Sequence, residues 1–339
     1  MKRSVIDLVE GCYRLDGDET TWLRGLVDAA EQFFAPGFWV AGWTYEFGAD
    51  AQPVIRALAS PRGGEEAKQR ILAASLLAPR DHSRSYFAPR VCISLADAFG
   101  GVGNLKRAPF WRPEWRCNDL VMVKSLDITG RGCMLFSPAA SRTRVSAAME
   151  ARWRLVLAHA NAGMRLRAGL ERDQRSPADT AEAVLEPDGR AVHAAGQAEG
   201  RDARKFLREA VKQMDRSRGA RRWDEPDAAL SAWKGLVTGR WSLVDHFESD
   251  GRRYILARRN DPQVGDPRAL TLQERQVARY AAYGLANRYI AYTLGVSEAR
   301  VSQALRTAVR KLGLRDRAEL VRTLASGREG EPSDGGRTQ

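Results

Sequence analysis

Cysteine and histidine are scarce, with four of each in 339 residues. Cys12, Cys92, Cys117 and Cys133 form no C-x-x-C pair, and His82, His159, His193 and His246 do not cluster with them. That spacing argues against a metal site or a disulfide framework and suits free thiols in a reducing cytoplasm. No cofactor is expected. No local catalytic signature surrounds any cysteine, or His82 or His193 as a base, so an enzyme is the weakest reading of the chain. Long apolar runs are also missing. A stretch such as Ile71 to Ala78 is far shorter than the ~20 residues a membrane helix needs, and the N-terminus has no signal peptide. The expectation is a soluble, cytoplasmic protein with no membrane partner. Acidic residues are outnumbered, 42 Asp and Glu against 54 Lys and Arg, for a net charge of +12. Such an excess favours a polyanionic partner such as nucleic acid.

The most ordered stretch is residues 268–325. Charge per residue is several-fold higher here than in the rest of the chain. The pattern predicts four short helices. Thr271 with Glu274 forms an S/T-x-x-E capping pattern, Val277, Ala278 and Ala281 follow at helical spacing, and Gly284 ends the first helix. A second runs from Asn287 to Leu294 and ends at Gly295-Val296. Ser297 caps a third, which Gly313 closes, and Asp316 with Glu319 repeats the capping pattern for a fourth. Two helices joined by a tight glycine-containing turn are the layout of a helix-turn-helix.

These residues resemble the DNA-binding domain of LuxR-type (GerE-like) transcription regulators. The resemblance rests on Leu270-Thr271, Glu274, Val277, Gly284, Asn287, Ile290-Ala291, Leu294, Val296-Ser297, Val301, Lys311-Leu312-Gly313, Arg317 and Leu320, with spacing kept and no gap. The chain departs from the family pattern at Arg288-Tyr289, Arg300 and Ala304. The expected core is Val277, Ile290, Leu294, Val296, Val301, Leu305 and Leu312. Val301, Leu305, Ala308 and Leu312 recur at steps of four, three and four, which turns Arg300, Ser302, Gln303, Arg306 and Arg310 outward. The resemblance assigns base reading to Ser302, Gln303 and Arg306. A Gln amide can pair adenine and an Arg fork can pair guanine, each worth about 1–3 kcal/mol of discrimination. Arg288, Arg300, Arg310 and Lys311 are expected on phosphates, where they set register and salt dependence. Regulators of this type bind paired half-sites, so the resemblance implies double-stranded operator DNA, a homodimer and RNA polymerase as partners.

The remainder reads as α+β. Residues 1–20 are polar and expected to be loosely held. A helix is expected over Thr21–Ala35, then strands over Phe38–Phe47 and Gln52–Leu58, a helix over Glu65–Ala78 and a strand over Val91–Leu95. Gly100 to Pro113 is expected as a loop; it lacks the Gly-Lys-Ser/Thr of a phosphate-binding loop. Strands over Leu120–Leu126 and Cys133–Phe136 precede a long helix over about 142–172. Val145, Met149, Trp153, Val156, Ala160 and Gly163 give that helix a heptad-like stripe. It is either packed on its own domain or a dimerising signal helix.

After a boundary at Arg175-Ser176-Pro177, a hairpin turns through Pro187-Asp188-Gly189-Arg190, and Ser249-Asp250-Gly251 marks a second hairpin. Between them lie helices over 202–214 and 228–237, separated by a basic loop from Arg216 to Arg222. The first region resembles a GAF-like domain and the second a PAS-like domain. The expected fold is therefore multidomain: α+β (GAF/PAS-like) sensor domains followed by an all-α, four-helix helix-turn-helix domain. The boundaries are 1–175 for a GAF-like domain ending in the long helix, 176–260 for a PAS-like domain, 261–267 for a linker, 268–325 for the helix-turn-helix domain and 326–339 for a disordered tail.

The sequence lacks the early strand with paired acidic residues that a phosphorylated receiver needs, so the control expected is not a phosphorelay. The signal is a small molecule or a protein of unknown identity. Trp39, Trp43, Tyr45 and Asp50 resemble a lactone receptor's aromatic-plus-Asp pocket only superficially. A sigma-factor-like protein would also end in a helix-turn-helix, but the front of this chain shows no matching helical region.

Overall fold

The computed structural model describes residues 3–34, 38–47, 53–60, 91–108, 111, 113, 116–126, 131–173, 181–233, 236–237, 241–247, 251–259, 270–282, 284–294, 296–312 and 314–326. The helix expected over Glu65–Ala78, the boundary at Arg175–Pro177, the linker and nearly all of the tail lie outside these residues.

From residue 3 onward the first twenty residues are folded, contrary to the expectation from their polarity. Helix α1 (Val5–Gly11) carries a capping box between Ser4 and Asp7 and buries Val5, Ile6, Leu8 and Val9. Seven residues are too few to be helical alone. The helix is held by packing on its neighbours, which a periodicity search over a short window does not detect. Helix α2 (Glu19–Ala30), capped by Asp18, continues into a single 3₁₀ turn, Glu31–Phe33.

The first sheet contains β1 (Ala41–Phe47), β2 (Pro53–Ala59), β3 (Cys92–Ser94), β4 (Asp119–Lys124) and β5 (Arg131–Ala139), in spatial order β2-β1-β5-β4-β3, all antiparallel. Its two faces follow the alternation of its strands. Val121, Val123, Cys133 and Leu135 enter the core shared with α1 and α2. Trp43, Met122, Met134 and Phe136 face the other way, where Leu105 and Trp111 cover them. The expected loop at 100–113 instead contains a short helix. Glycines 100 and 101, both at positive φ, turn the chain between α3 (Leu95–Ala98) and α4 (Val102–Lys106).

Helix α5 (Ala147–Asp173) is the long helix the sequence predicts. From Val156 to Arg167 every residue except Ala158 is buried. This stretch is a spine inside the chain, covered by the chain's own residues rather than presented as a dimer seam. Arg167 donates to the carbonyls of Arg14 and Gly17, and the Tyr13 hydroxyl lies 2.7 Å from His159 Nδ1. Gly163 is where α1 crosses: a Cβ at this position would collide with the Cys12 carbonyl.

The second α+β unit comprises β6 (Ala181–Leu185), β7 (Ala191–Ala194), α6 (Arg201–Arg218), α7 (Arg221–Asp224), α8 (Pro226–Ala232), β8 (Leu236–Val237), β9 (Trp241–Phe247) and β10 (Arg253–Arg259). The turn joining β6 to β7 forms as expected, with Gly189 at φ +86° and its N–H donating to Glu186. The sheet runs β7-β6-β10-β9-β8. Counted from the first strand of each unit, both sheets have the order 2-1-5-4-3.

The basic loop expected at 216–222 is instead the end of α6 and the start of α7, and its arginines join the two units. Arg218 Nε lies 2.5 Å from Glu10 Oε1 of α1, and its other nitrogens meet Asp215 at 3.2 Å and Asp245. Arg253 binds the same two aspartates at 3.0 Å each. Arg222 meets Asp7 at 3.4 Å, and Arg152 of α5 meets Asp227 at 2.7 Å. Burial pushes the Asp215 and Asp245 carboxyls up, against the pull of Arg218.

The chain ends in an all-α domain of α9 (Leu272–Ala282), α10 (Asn287–Leu294), α11 (Glu298–Lys311) and α12 (Arg317–Ser326). The fold is therefore multidomain, α+β followed by all-α. Among the described residues, no helix is long and apolar enough to cross a membrane.

Candidate nucleic-acid interface

Local chemistry sets each helix of this domain. Thr271 and Glu274 form the reciprocal cap at the start of α9: Thr271 N–H donates to Glu274 Oε2 at 2.7 Å and Glu274 N–H to Thr271 Oγ1 at 3.2 Å. Gly284, at φ +80°, ends the turn after α9 with its N–H on the Ala281 carbonyl. Ser297 Oγ accepts from the N–H of Arg300 and starts α11. Asp316 accepts from the N–H of Glu319, and the Glu319 carboxylate accepts from the N–H of Arg315.

The core assembles on the predicted stripe. Val277, Ile290, Val301, Leu305 and Leu312 are buried, together with Ala278, Ala281, Ala308, Leu320 and Leu324. Val296 is half-buried and packs against this core. Leu294 belongs to α10; its side chain is outside the described residues. With that stripe inward, Arg300, Gln303, Arg306 and Arg310 are exposed on α11. Beside them is a recess bordered by Asn287, Ser302, Arg306, Arg310, Arg315 and Arg317.

The predicted DNA-facing residues are not equivalent in this geometry. Gln303 and Arg306 stand out from the helix into solvent. Ser302 is half-buried and accepts a hydrogen bond from Asn287 Nδ2 at 3.0 Å. Asn287 Oδ1 in turn accepts from Arg317 Nη1 at 2.7 Å, and Arg317 Nη2 donates to the Leu285 carbonyl at 3.0 Å. Lys311 is bound within the domain, its Nζ 2.8 Å from Glu274 Oε2 and 3.1 Å from Oε1. Arg300 donates to Gln273 at 3.3 Å. Arg288 lies over the Tyr289 ring, 4.8 Å from its centroid. Residue spacing does not reveal the Arg317–Asn287–Ser302 chain or the Lys311–Glu274 pair. Arg317, Asn287, Lys311 and Glu274 all carry the family resemblance, but they meet partners 15 to 37 positions away in the chain.

All four cysteines are buried and free. Burial pushes Cys12, Cys117 and Cys133 up, Cys133 to about 12. Among the described residues, no three His, Cys, Asp or Glu side chains are grouped to hold a metal ion.

Two solved structures of SdiA align with the chain. The Escherichia coli SdiA crystal structure has 10% identity and a TM-score of 0.35, covering 94% of this chain and 94% of that one. SdiA in complex with octanoyl-rac-glycerol has 10% identity and a TM-score of 0.33, covering 92% and 89%. No curated protein matches the chain. Residues 268–324 match the family of bacterial regulatory proteins described as luxR, or GerE. The capped four-helix segment at the end of this chain is therefore a luxR-family helix-turn-helix domain.

Proposed function

We propose that the protein is a sequence-specific, DNA-binding transcription regulator that reads the major groove with α11. The observation that carries this is the exposed row of Gln303, Arg306 and Arg310 beside Ser302, on a capped helix whose opposite face is buried. A helix fits the major groove, and bidentate Gln and Arg contacts there distinguish bases. Gln303 and Arg306 are the principal readers. Arg310, Arg300 and Arg288 meet phosphates. Lys311 braces α11 on α9.

One such domain covers too few base pairs for selectivity, so a homodimer on paired half-sites is the working form. Its interface lies on α12 rather than on the middle of α5, which the chain itself covers. The front of the chain is a cytoplasmic, non-enzymatic sensor that acts without a phosphorelay. The shared 2-1-5-4-3 strand order of its two sheets supports a GAF-like and a PAS-like unit, which respond to a small-molecule or protein signal and set contact with RNA polymerase.

Genome-wide binding of the wild type and a Gln303→Ala/Arg306→Ala variant tests the proposal. Loss of all site-specific peaks in a folded variant is expected; unchanged peaks would refute the recognition-helix assignment. Sedimentation on a defined site that gives one protomer per duplex at every concentration would refute the dimer.

A further inference from the structure

We infer that Arg317 and Asn287 are positioning residues that fix the hydrogen-bond polarity of Ser302, presenting its hydroxyl to DNA as a donor. The inference rests on the proposed DNA-reading role of α11 and on the base-reading position that the luxR resemblance assigns to Ser302.

A guanidinium donates and cannot accept. Arg317 Nη1 lies 2.7 Å from the Asn287 amide, so the amide must present its oxygen to Arg317. Its NH₂ then faces Ser302, 3.0 Å away. The NH₂ cannot accept, so it occupies a lone pair of the Ser302 oxygen, and the hydroxyl hydrogen must point elsewhere. Arg317 cannot swing away without loss, because Nη2 is also bonded to the Leu285 carbonyl at 3.0 Å. An amide whose orientation is otherwise free to turn is thus set by a residue 30 positions away. Ser302 borders the same recess as Arg306 and Arg310, so its outward hydrogen points into the face that meets DNA.

The chemistry of the partner follows. In the major groove guanine offers N7 and O6 and thymine offers O4, all acceptors, whereas cytosine offers only the N4 donor. With one lone pair taken by Asn287 and its hydrogen free, Ser302 favours guanine or thymine at the base it meets, which offer only acceptors, over cytosine, which offers only a donor; adenine, with its N7 acceptor and N6 donor, is intermediate.

Asn287→Asp reverses the arrangement with almost no change of shape. A carboxylate accepts from both Arg317 and the Ser302 hydroxyl, which turns the hydrogen inward and leaves lone pairs facing DNA. The experiment is selection from randomised duplex DNA with full-length wild type, Asn287→Asp, Ser302→Ala and Arg317→Met, each checked for folding by circular dichroism. The wild type is expected to enrich guanine or thymine at one position in each half-site. Ser302→Ala loses that preference alone, Asn287→Asp moves it toward cytosine by about fivefold, the worth of about one hydrogen bond, and Arg317→Met blurs it.

If Asn287→Asp does not fold, Arg317→Met carries the test. An unchanged preference in folded Asn287→Asp or Arg317→Met overturns the inference while leaving the DNA-reading proposal standing. So does a Ser302→Ala variant that weakens binding uniformly at all positions, the mark of a phosphate contact. A wild type that enriches no motif overturns both.

Discussion

Lys311 at the end of α11 and Glu274 in the first turn of α9 form an ion pair of 2.8 Å, and the Glu274 side chain is only 12% exposed. Glu274 also caps its own helix, so one carboxylate ties the N-terminus of α9 to the C-terminus of α11. Glu274→Gln keeps the cap but removes the charge, and should lower the stability of the domain by about 1–2 kcal/mol, measured by chemical denaturation.

The same pair sets Lys311 apart from the side chains proposed to meet DNA. Removing one phosphate-binding cation should flatten the slope of log affinity against log salt by about 0.9. Arg310→Ala is expected to do so. Lys311→Ala should lower stability and leave the slope nearly unchanged, as read from fluorescence anisotropy across a salt series.

Gly163 and Gly169 lie on one helix in opposite surroundings. Alanine at 163 would collide with the Cys12 backbone, whereas nothing lies within 4 Å of a Cβ at 169. Gly163→Ala should destabilise by about 1–3 kcal/mol or more. Gly169→Ala should stabilise by about 0.5–1 kcal/mol, because a helical glycine is replaced without a clash. Thermal melts of the two variants should move in opposite directions.

Arg218 links Glu10 of α1 to Asp215 and Asp245 of the second unit, and its side chain is 18% exposed. Arg218→Met strands half-buried carboxylates and should cost about 2 kcal/mol or more. Glu10→Gln should cost less. The double variant should cost less than the sum of the two, since both substitutions break the same ion pair. Chemical denaturation of the three variants measures the difference.

Lys124 is buried in β4, and burial lowers it from an ordinary 10.5 to about 7, against the opposing pull of Glu150. The unfolded chain therefore holds this proton up to a higher pH than the folded one. The contribution to stability rises as pH climbs from about 7 toward 10.5, and the full penalty of a buried charge is present below 7. Lys124→Met should be more stable than wild type at about pH 6, with the gap closing as pH rises to about 10. A gap that is constant with pH would refute this.

The luxR-family domain is legible in the residues because each of its signals is local. Thr271, Ser297 and Asp316 cap within three positions, Gly284 turns within one, and the Val301–Leu312 stripe repeats within a single helix. The hairpin at Gly189 is legible for the same reason. Helix α1 is not: Val5, Ile6, Leu8 and Val9 are too few to signal a helix, and only their neighbours supply what they bury against.

The sequence by itself determined the helix-turn-helix domain, its inward stripe and which side of α11 faces out, because helix period and capping chemistry act over a few residues. Tertiary structure alone decided the rest. It gave both front sheets the same strand order, buried the middle of α5, gathered Arg218 with Glu10 and Asp245, drew Lys311 onto Glu274, and set Ser302 against Asn287 and Arg317. These are contacts between residues distant in the chain, formed when helices and strands with individually readable faces pack and leave each charged group only the partners that packing brings within reach.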